Sequence, residues 1–168
     1  MFWDEMRLGC IGQVRRRWAP RGLKVVQKVR VAYEWRYLVL AVAPCTGQLW
    51  WTWLEDMGAE SLQRALEQAK KEIRLEVVIW DRAPGHRARC LGATVERIFQ
   101  PPYSPELQPV ERLFEELRRE VEGQVYDALE AKMQAAEAML RTWQQDPEKV
   151  RSLTAWSWIR EAFNCPTL

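Results

Sequence analysis

Pro101-Pro102-Tyr103-Ser104-Pro105-Glu106-Leu107-Gln108-Pro109-Val110-Glu111 places four prolines among eleven residues, immediately ahead of a helical pattern. Each proline fixes its own φ and removes a backbone donor, which excludes a helix or a central strand up to Pro109. Pro109 suits the first position of a helix, where a missing N–H costs nothing. From there Val110, Leu113, Phe114, Leu117 and Val121 recur at helical spacing and form one apolar face, with the helix ending at Gly123. Glu111 falls in the first turn, where the helix dipole favours negative charge. The stretch therefore reads as a stiff mount that holds one carboxylate in a defined place.

A second acid lies upstream. Leu75-Glu76-Val77-Val78-Ile79-Trp80 is short, β-branched and nearly all apolar, the pattern of a strand covered on both faces. It stops at Asp81, followed by Arg82-Ala83-Pro84-Gly85-His86, a turn holding both proline and glycine. Open α/β sheets place their chemistry at the carboxyl ends of such strands. The chain start, Met1-Phe2-Trp3-Asp4-Glu5, is again an apolar run delivering acids.

The remaining pattern predicts a first strand near 1–11, a basic turn, strands near 23–43, and a Thr46-Gly47 hairpin into a strand at 48–54. A helix follows near 59–73 with Leu62, Leu66 and Ala69 on one face, then the strand ending at Asp81. A short helix from 86 to 93 and a strand near 94–99 precede the proline loop. This order predicts an α/β fold with mixed strand pairing. Beyond Gly123 the chain turns helical. Leu129, Met133, Ala136, Leu140 and Trp143 step by threes and fours, as a core stripe or a dimer seam. Asp146-Pro147 opens another helix, and Trp156, Ile159 and Phe163 anchor a last one.

Asp4-Glu5-Met6-Arg7-Leu8-Gly9, Trp18-Ala19-Pro20-Arg21-Gly22, Asp81-Arg82-Ala83-Pro84-Gly85-His86 and the proline stretch stand in one order. In that order they resemble the catalytic domain of DDE transposases, in the bacterial insertion-sequence branch of the mariner superfamily. The resemblance covers roughly residues 1–123 and implies a ribonuclease-H-like fold, a mixed β-sheet flanked by helices. Residues 124–168 would be a helical C-terminal extension packed on the same domain. It further implies that Asp4, Asp81 and Glu111 form a catalytic triad holding two divalent ions, Mg²⁺ or Mn²⁺, for DNA strand cleavage and strand transfer. Two positions depart from the family pattern: Arg82 stands where Asn or Gly is usual, and Gln108 where Asn is usual.

Phosphodiester cleavage suits such a triad, because hard oxygen ligands hold the paired cations that activate water and stabilise the leaving oxygen. Clustered acids repel, which should raise at least one pKa. Their oxygens are expected to meet in one metal-sized pocket, with His86 and the arginines at its rim. Each acid also has an ordinary reading. Asp4 alone is an acid near a chain end, and Glu5 competes for its role. Asp81 could cap the following turn, and Glu111 could be a plain first-turn glutamate. His86, the only histidine, reads either as a residue behind the metal site or as a helix-start residue with local hydrogen bonds.

The net charge of +2 is unevenly placed. Residues 1–53 hold nine Lys or Arg against three acids, close to +6 in the first third, as a phosphate-tracking surface would require. Arg15, Arg16, Arg17, Arg21 and Lys24 form the main candidate DNA-binding patch, with Arg87 and Arg89 as a second; a solvated, charge-edged hairpin is the alternative. The ten tryptophans read mainly as packing residues. Cys10, Cys45, Cys90 and Cys165 show no CxxC spacing, which argues against zinc and predicts reduced thiols in a cytoplasmic protein. No apolar run is long enough to span a bilayer.

Complete transposases of the resembled kind carry helix-turn-helix modules ahead of the catalytic domain, and with three residues before Asp4 the expectation is a chain without them. The expectation is a catalytic part working on DNA as a homodimer or with a partner polypeptide that carries those modules. The alternatives are a silent remnant that binds DNA or a transposase without cutting, and a stand-alone ribonuclease-H-like nuclease. The basic patch is testable directly. Arg16→Ala combined with Arg17→Ala should weaken DNA binding and lower the slope of log K against log salt by about two. An unchanged slope in a salt titration would remove phosphate contact from the patch.

Overall fold

The computed structural model describes residues 1–11, 18–26, 30–83, 86 and 95–165. Five strands form one mixed sheet: β1 (Phe2–Gly9), β2 (Trp35–Ala43), β3 (Gln48–Leu54), β4 (Val77–Trp80) and β5 (Glu96–Phe99). Their order is β3-β2-β1-β4-β5. The first three run antiparallel, with Asp4 opposite Leu40 and Leu40 opposite Trp51. β4 joins β1 in parallel at Phe2 and Ile79, and β5 joins β4 in parallel. A parallel neighbour needs a crossover. α1 (Ala59–Ile73) supplies the one between β3 and β4.

Alternation along β1 sorts the core into two layers. Phe2, Met6 and Leu8 face α2 (Val110–Val121), α3 (Leu129–Gln145), α4 (Pro147–Thr154) and α5 (Ser157–Phe163). Trp3 faces the other way, onto Trp50, Trp80 and the Leu62, Ala65, Leu66 and Ala69 stripe of α1. Burial of α2 through Val110, Leu113, Phe114, Leu117 and Val121 matches the predicted face residue for residue. On β4, Val78 and Trp80 are buried while Val77 and Ile79 are half-buried, so its cover is heavier on the α1 side. The α3 stripe is core packing: Leu129, Ala136, Leu140 and Trp143 are buried and Met133 packs against them. Asp146 caps α4 by accepting from the Lys149 N–H at 3.0 Å.

Three expectations need correction or lie elsewhere. Strand structure was expected from about residue 23, yet β2 begins only at Trp35. The reason is register: its partner β1 ends at Gly9, opposite Trp35. One more backbone bond, Cys10 N–H to Glu34 O at 3.1 Å, closes that end. Leu23, Val25, Val26, Val31 and Tyr33 are therefore exposed, with no ladder to join. Second, Cys45 and Cys165 form a disulfide, with Cα atoms 4.9 Å apart. Their 120-residue separation hid the pairing, and the cysteines no longer argue for a reducing compartment. Cys10 is a free thiol. Third, the short helix expected over 86–93 lies outside the described residues apart from His86. Among the described residues, no helix is long and apolar enough to cross a membrane.

One buried ion pair ties the helical tail to the sheet. Lys132 of α3, 2% exposed, donates to Glu122 Oε1 at 2.7 Å and to the Gly9 carbonyl at 2.9 Å. Removing the cation takes from that buried carboxylate the charge 2.7 Å away. Lys132→Ala should cost about 3 kcal/mol in urea unfolding. Lys132→Met with Glu122→Leu should recover most of it. A wild-type midpoint for Lys132→Ala would show that the pair ties nothing.

Candidate functional site

Asp4, Asp81 and Glu111 line one cleft of about 600 Å³. Its other walls come from Arg82 and Ala83 after β4, Gln100 after β5, and the loop 101–105. Each acid arrives by a different route. Asp4 shares the even-numbered face of β1 with Phe2 and Met6, so it points toward the α2 layer where Glu111 stands. Asp81 is the first residue beyond β4, and Glu111 is in the first turn of α2.

The loop is held by glutamines. Gln108, 4% exposed, donates through Nε2 to the Trp3 carbonyl at 3.0 Å. Gln100 donates through Nε2 to the Leu107 carbonyl at 2.7 Å. Pro105–Leu107 make a short 3₁₀ turn, and Pro109 with helical φ and ψ leads into α2. Gln108 stands where the resembled family usually has Asn. It makes no side-chain cap; its amide crosses to β1 and locks the α2 mount against the strand of Asp4.

The electrostatics show that the acids sense one another. Burial pushes the Asp4 carboxyl up to about 8, aided by the charges of Glu5, Glu111 and Asp81, although the Glu5 N–H donating to Asp4 Oδ1 at 2.8 Å pulls the other way. The side chains do not converge as expected. Among the described residues, no three His, Cys, Asp or Glu groups close on a metal-sized point. Asp81 is 54% exposed and turns to His86, while Glu111 is 44% exposed and lies 3.7 Å from Arg118. The donor set nevertheless suits hard divalent cations, being oxygen-rich and negatively charged. Gln108 Oε1, buried and without a hydrogen-bond partner among the described residues, adds another oxygen on this wall.

Behind the cleft lies a relay that the sequence leaves hidden. Adjacent residues of a strand face opposite sides, so Glu5 enters the α1 layer while Asp4 enters the cleft. Its carboxylate, 5% exposed, accepts from Trp3 Nε1 at 2.7 Å and lies 2.9 Å from His86 Nε2. His86 Nδ1 contacts Asp81 Oδ1, and the ring stacks on Trp80 with centroids 4.0 Å apart. Burial pulls the imidazole pKa down, but hydrogen bonding and charge from Glu5, with Asp81 behind them, outweigh it and the net shift is upward. When protonated, the ring can donate to both carboxylates. Asp81 Oδ1 also accepts the Ala83 N–H at 2.9 Å, so that oxygen is doubly held. The sequence signal for Glu5 was its alternation with Asp4, combined with the lone histidine.

Of the expected DNA-binding residues, Arg21 and Lys24 are exposed. Arg15, Arg16, Arg17, Arg87 and Arg89 lie outside the described residues.

A five-stranded mixed sheet flanked by helices, with Asp4 within β1, Asp81 just past β4 and Glu111 in the first turn of α2, has the frame of a ribonuclease-H-like fold. The chain belongs to the DDE superfamily endonuclease family, whose match spans residues 1–131. Solved structures agree on the ribonuclease-H-like fold. The Mos1 transposase paired-end complex with the left transposon end aligns with TM-score 0.69 and 18% identity, over 97% of this chain and 52% of that chain. The Mos1 strand transfer complex gives TM-score 0.69 and 18% identity, over 99% and 55%. The Mos1 mariner paired end complex with Mn gives 0.66 and 16%, over 99% and 56%. The chain thus spans about half the length of these Mos1 chains. Comparison with curated proteins finds no match.

The raised Asp4 pKa has a definite sign. A carboxyl whose folded pKa exceeds its unfolded value of 3.8 stabilises the fold below that value and loses this contribution as pH rises toward 8. In chelator-treated protein, Asp4→Asn should therefore unfold later than wild type at pH 8, by on the order of 2 kcal/mol. The gap should close toward pH 4. A difference independent of pH in thermal melts would show that Asp4 is already charged throughout.

Proposed function

We propose that this chain is the catalytic part of a DDE transposase, cutting a DNA strand and joining the freed 3′ end to a target. The observation that carries this reading is the shared cleft of Asp4, Asp81 and Glu111, where burial above all, then Glu5 and the other two acids, raises the Asp4 pKa. These three residues would hold two divalent ions, Mg²⁺ or Mn²⁺, which supply charge neutralisation of the phosphate and an acidified water. Mos1 has been solved with Mn and with Mg, in paired-end complexes.

The chain's own residues do the positioning. Gln108 keeps the α2 mount against β1, which limits how far Glu111 can move from Asp4. Glu5 and His86 hold Asp81 Oδ1 on the inner side and leave Oδ2 for the cleft. Such partners behind a ligand fix its orientation and tune its basicity. Arg15, Arg16, Arg17, Arg21 and Lys24, with Arg87 and Arg89, would track the phosphate backbone. Work on paired DNA ends implies a second copy of the chain, or a partner polypeptide bearing helix-turn-helix modules.

The separation of the three side chains favours a second reading, a DNA-binding remnant that does not cut. Supercoiled plasmid incubated with and without Mg²⁺ or Mn²⁺ separates the two. Metal-dependent nicking, reduced to background by Asp81→Ala and by Glu111→Ala, is the expected result. His86→Asn should raise the metal concentration needed for half-maximal nicking by about 10–100-fold, with little change at saturating metal. Binding without nicking would support the remnant, and cleavage of RNA–DNA hybrid without joining of DNA ends would support a plain nuclease.

A further inference from the structure

Two residues of the cleft stand beside the three acids, and both behave oddly for residues that serve only the fold. Tyr103 is fully exposed, at 100%, and has φ of 57°. A bulky residue in the left-handed region is strained, and such strain concentrates where structure serves binding. Tyr103 gains no burial in return, and its hydroxyl has no hydrogen-bond partner among the described residues. A glycine would make the same turn without strain. The flanking prolines, Pro101-Pro102 and Pro105, hold the ring out over the cleft wall that the loop forms.

Arg82 stands on the same cleft, directly after Asp81. Its Nε donates to the Gln100 carbonyl at 3.1 Å, which anchors the guanidinium across the ends of β4 and β5. That bond uses one donor of five. Among the described residues it forms no ion pair, although three carboxylates line the same cleft. An anchored cation that leaves nearby acids alone is suited to an incoming anion, and its planar fork matches phosphate oxygens.

We propose that Arg82 and Tyr103 form a subsite for one unpaired nucleotide next to the scissile phosphate, with Arg82 on a phosphate and Tyr103 stacked on the base. The assignment rests on the strand-cutting reading, and it specifies the substrate further. A base inside a duplex has both faces covered by its neighbours, so only a frayed or splayed nucleotide offers a face to Tyr103. Stacking of this kind tolerates any base, because every base has a π-face. The cleft's 600 Å³ is ample for one nucleotide. The subsite therefore selects for strand opening at the cut rather than for sequence.

The test uses a blunt duplex and the same duplex with a short 3′ overhang carrying 2-aminopurine, both in chelator so that nothing is cut. Wild type should prefer the overhang and quench its fluorescence. Tyr103→Gly and Tyr103→Ala should lose about tenfold in overhang affinity and the quench, with blunt binding unchanged; Tyr103→Phe should retain both. Tyr103→Gly relieves the backbone, so its melting temperature should not fall, which separates lost grip from lost fold. Arg82→Ala should weaken binding to both probes and lower the salt slope by about one. Wild-type overhang preference and quench in Tyr103→Gly, or an unchanged slope in Arg82→Ala, would overturn the subsite. If wild type still nicks plasmid with metal, that failure leaves the strand-cutting reading intact. If wild type binds neither probe, both fall.

Discussion

A single hydrogen bond, from the Gln108 amide to the Trp3 carbonyl, carries the geometry on which the rest depends. It joins residues 105 positions apart, is buried, and fixes the start of α2 against the strand bearing Asp4. Without it the proline loop would still be stiff, but stiff in no particular place. Gln100 completes the brace by holding the Leu107 carbonyl from the end of β5. Rigid segments position a carboxylate only when both their ends are tied, and here amide side chains tie the loop while the apolar face of α2 packs on β1.

The cleft works against the fold that builds it. Burying Asp4 among Glu5, Glu111 and Asp81 is unfavourable in the absence of a cation, and the upward shift of its pKa expresses that cost. The two hydrophobic layers on either side of the sheet absorb it. Phe2, Met6 and Leu8 pack below and Trp3, Trp50 and Trp80 above, so the backbone of β1 cannot yield to relieve the charge. Relief comes through the exposed side chains instead, with Asp81 turning to His86 and Glu111 toward Arg118. The buried Glu5 carboxyl is likewise met by a side chain rather than by the backbone, with His86 Nε2 at 2.9 Å.

Much of this was readable in advance wherever it depended on local pattern. The α2 face, the α1 stripe, the β2–β3 hairpin and the helix opening at Asp146-Pro147 all follow from periodicity, turn chemistry and capping. The acids at 4, 81 and 111 stood out for their neighbours: an apolar run, a buried strand and a proline mount. The failures share one cause. Cys45 with Cys165, Gln108 with Trp3, and Glu5 with His86 are pairings across long separations that no local rule encodes. Leu23, Val25, Val26, Val31 and Tyr33, all exposed, misled because β-propensity cannot report that β1 has already ended.

The amino-acid order alone marked most of the helices and strands, their apolar faces and the acids at 4, 81 and 111, since backbone sterics and side-chain spacing act within a few residues. Tertiary structure decided that the acids share a cleft, that Glu5 turns away from it, and that two cysteines meet. Those outcomes depend on strand order and sheet register, which are set by competition among distant contacts over the whole chain.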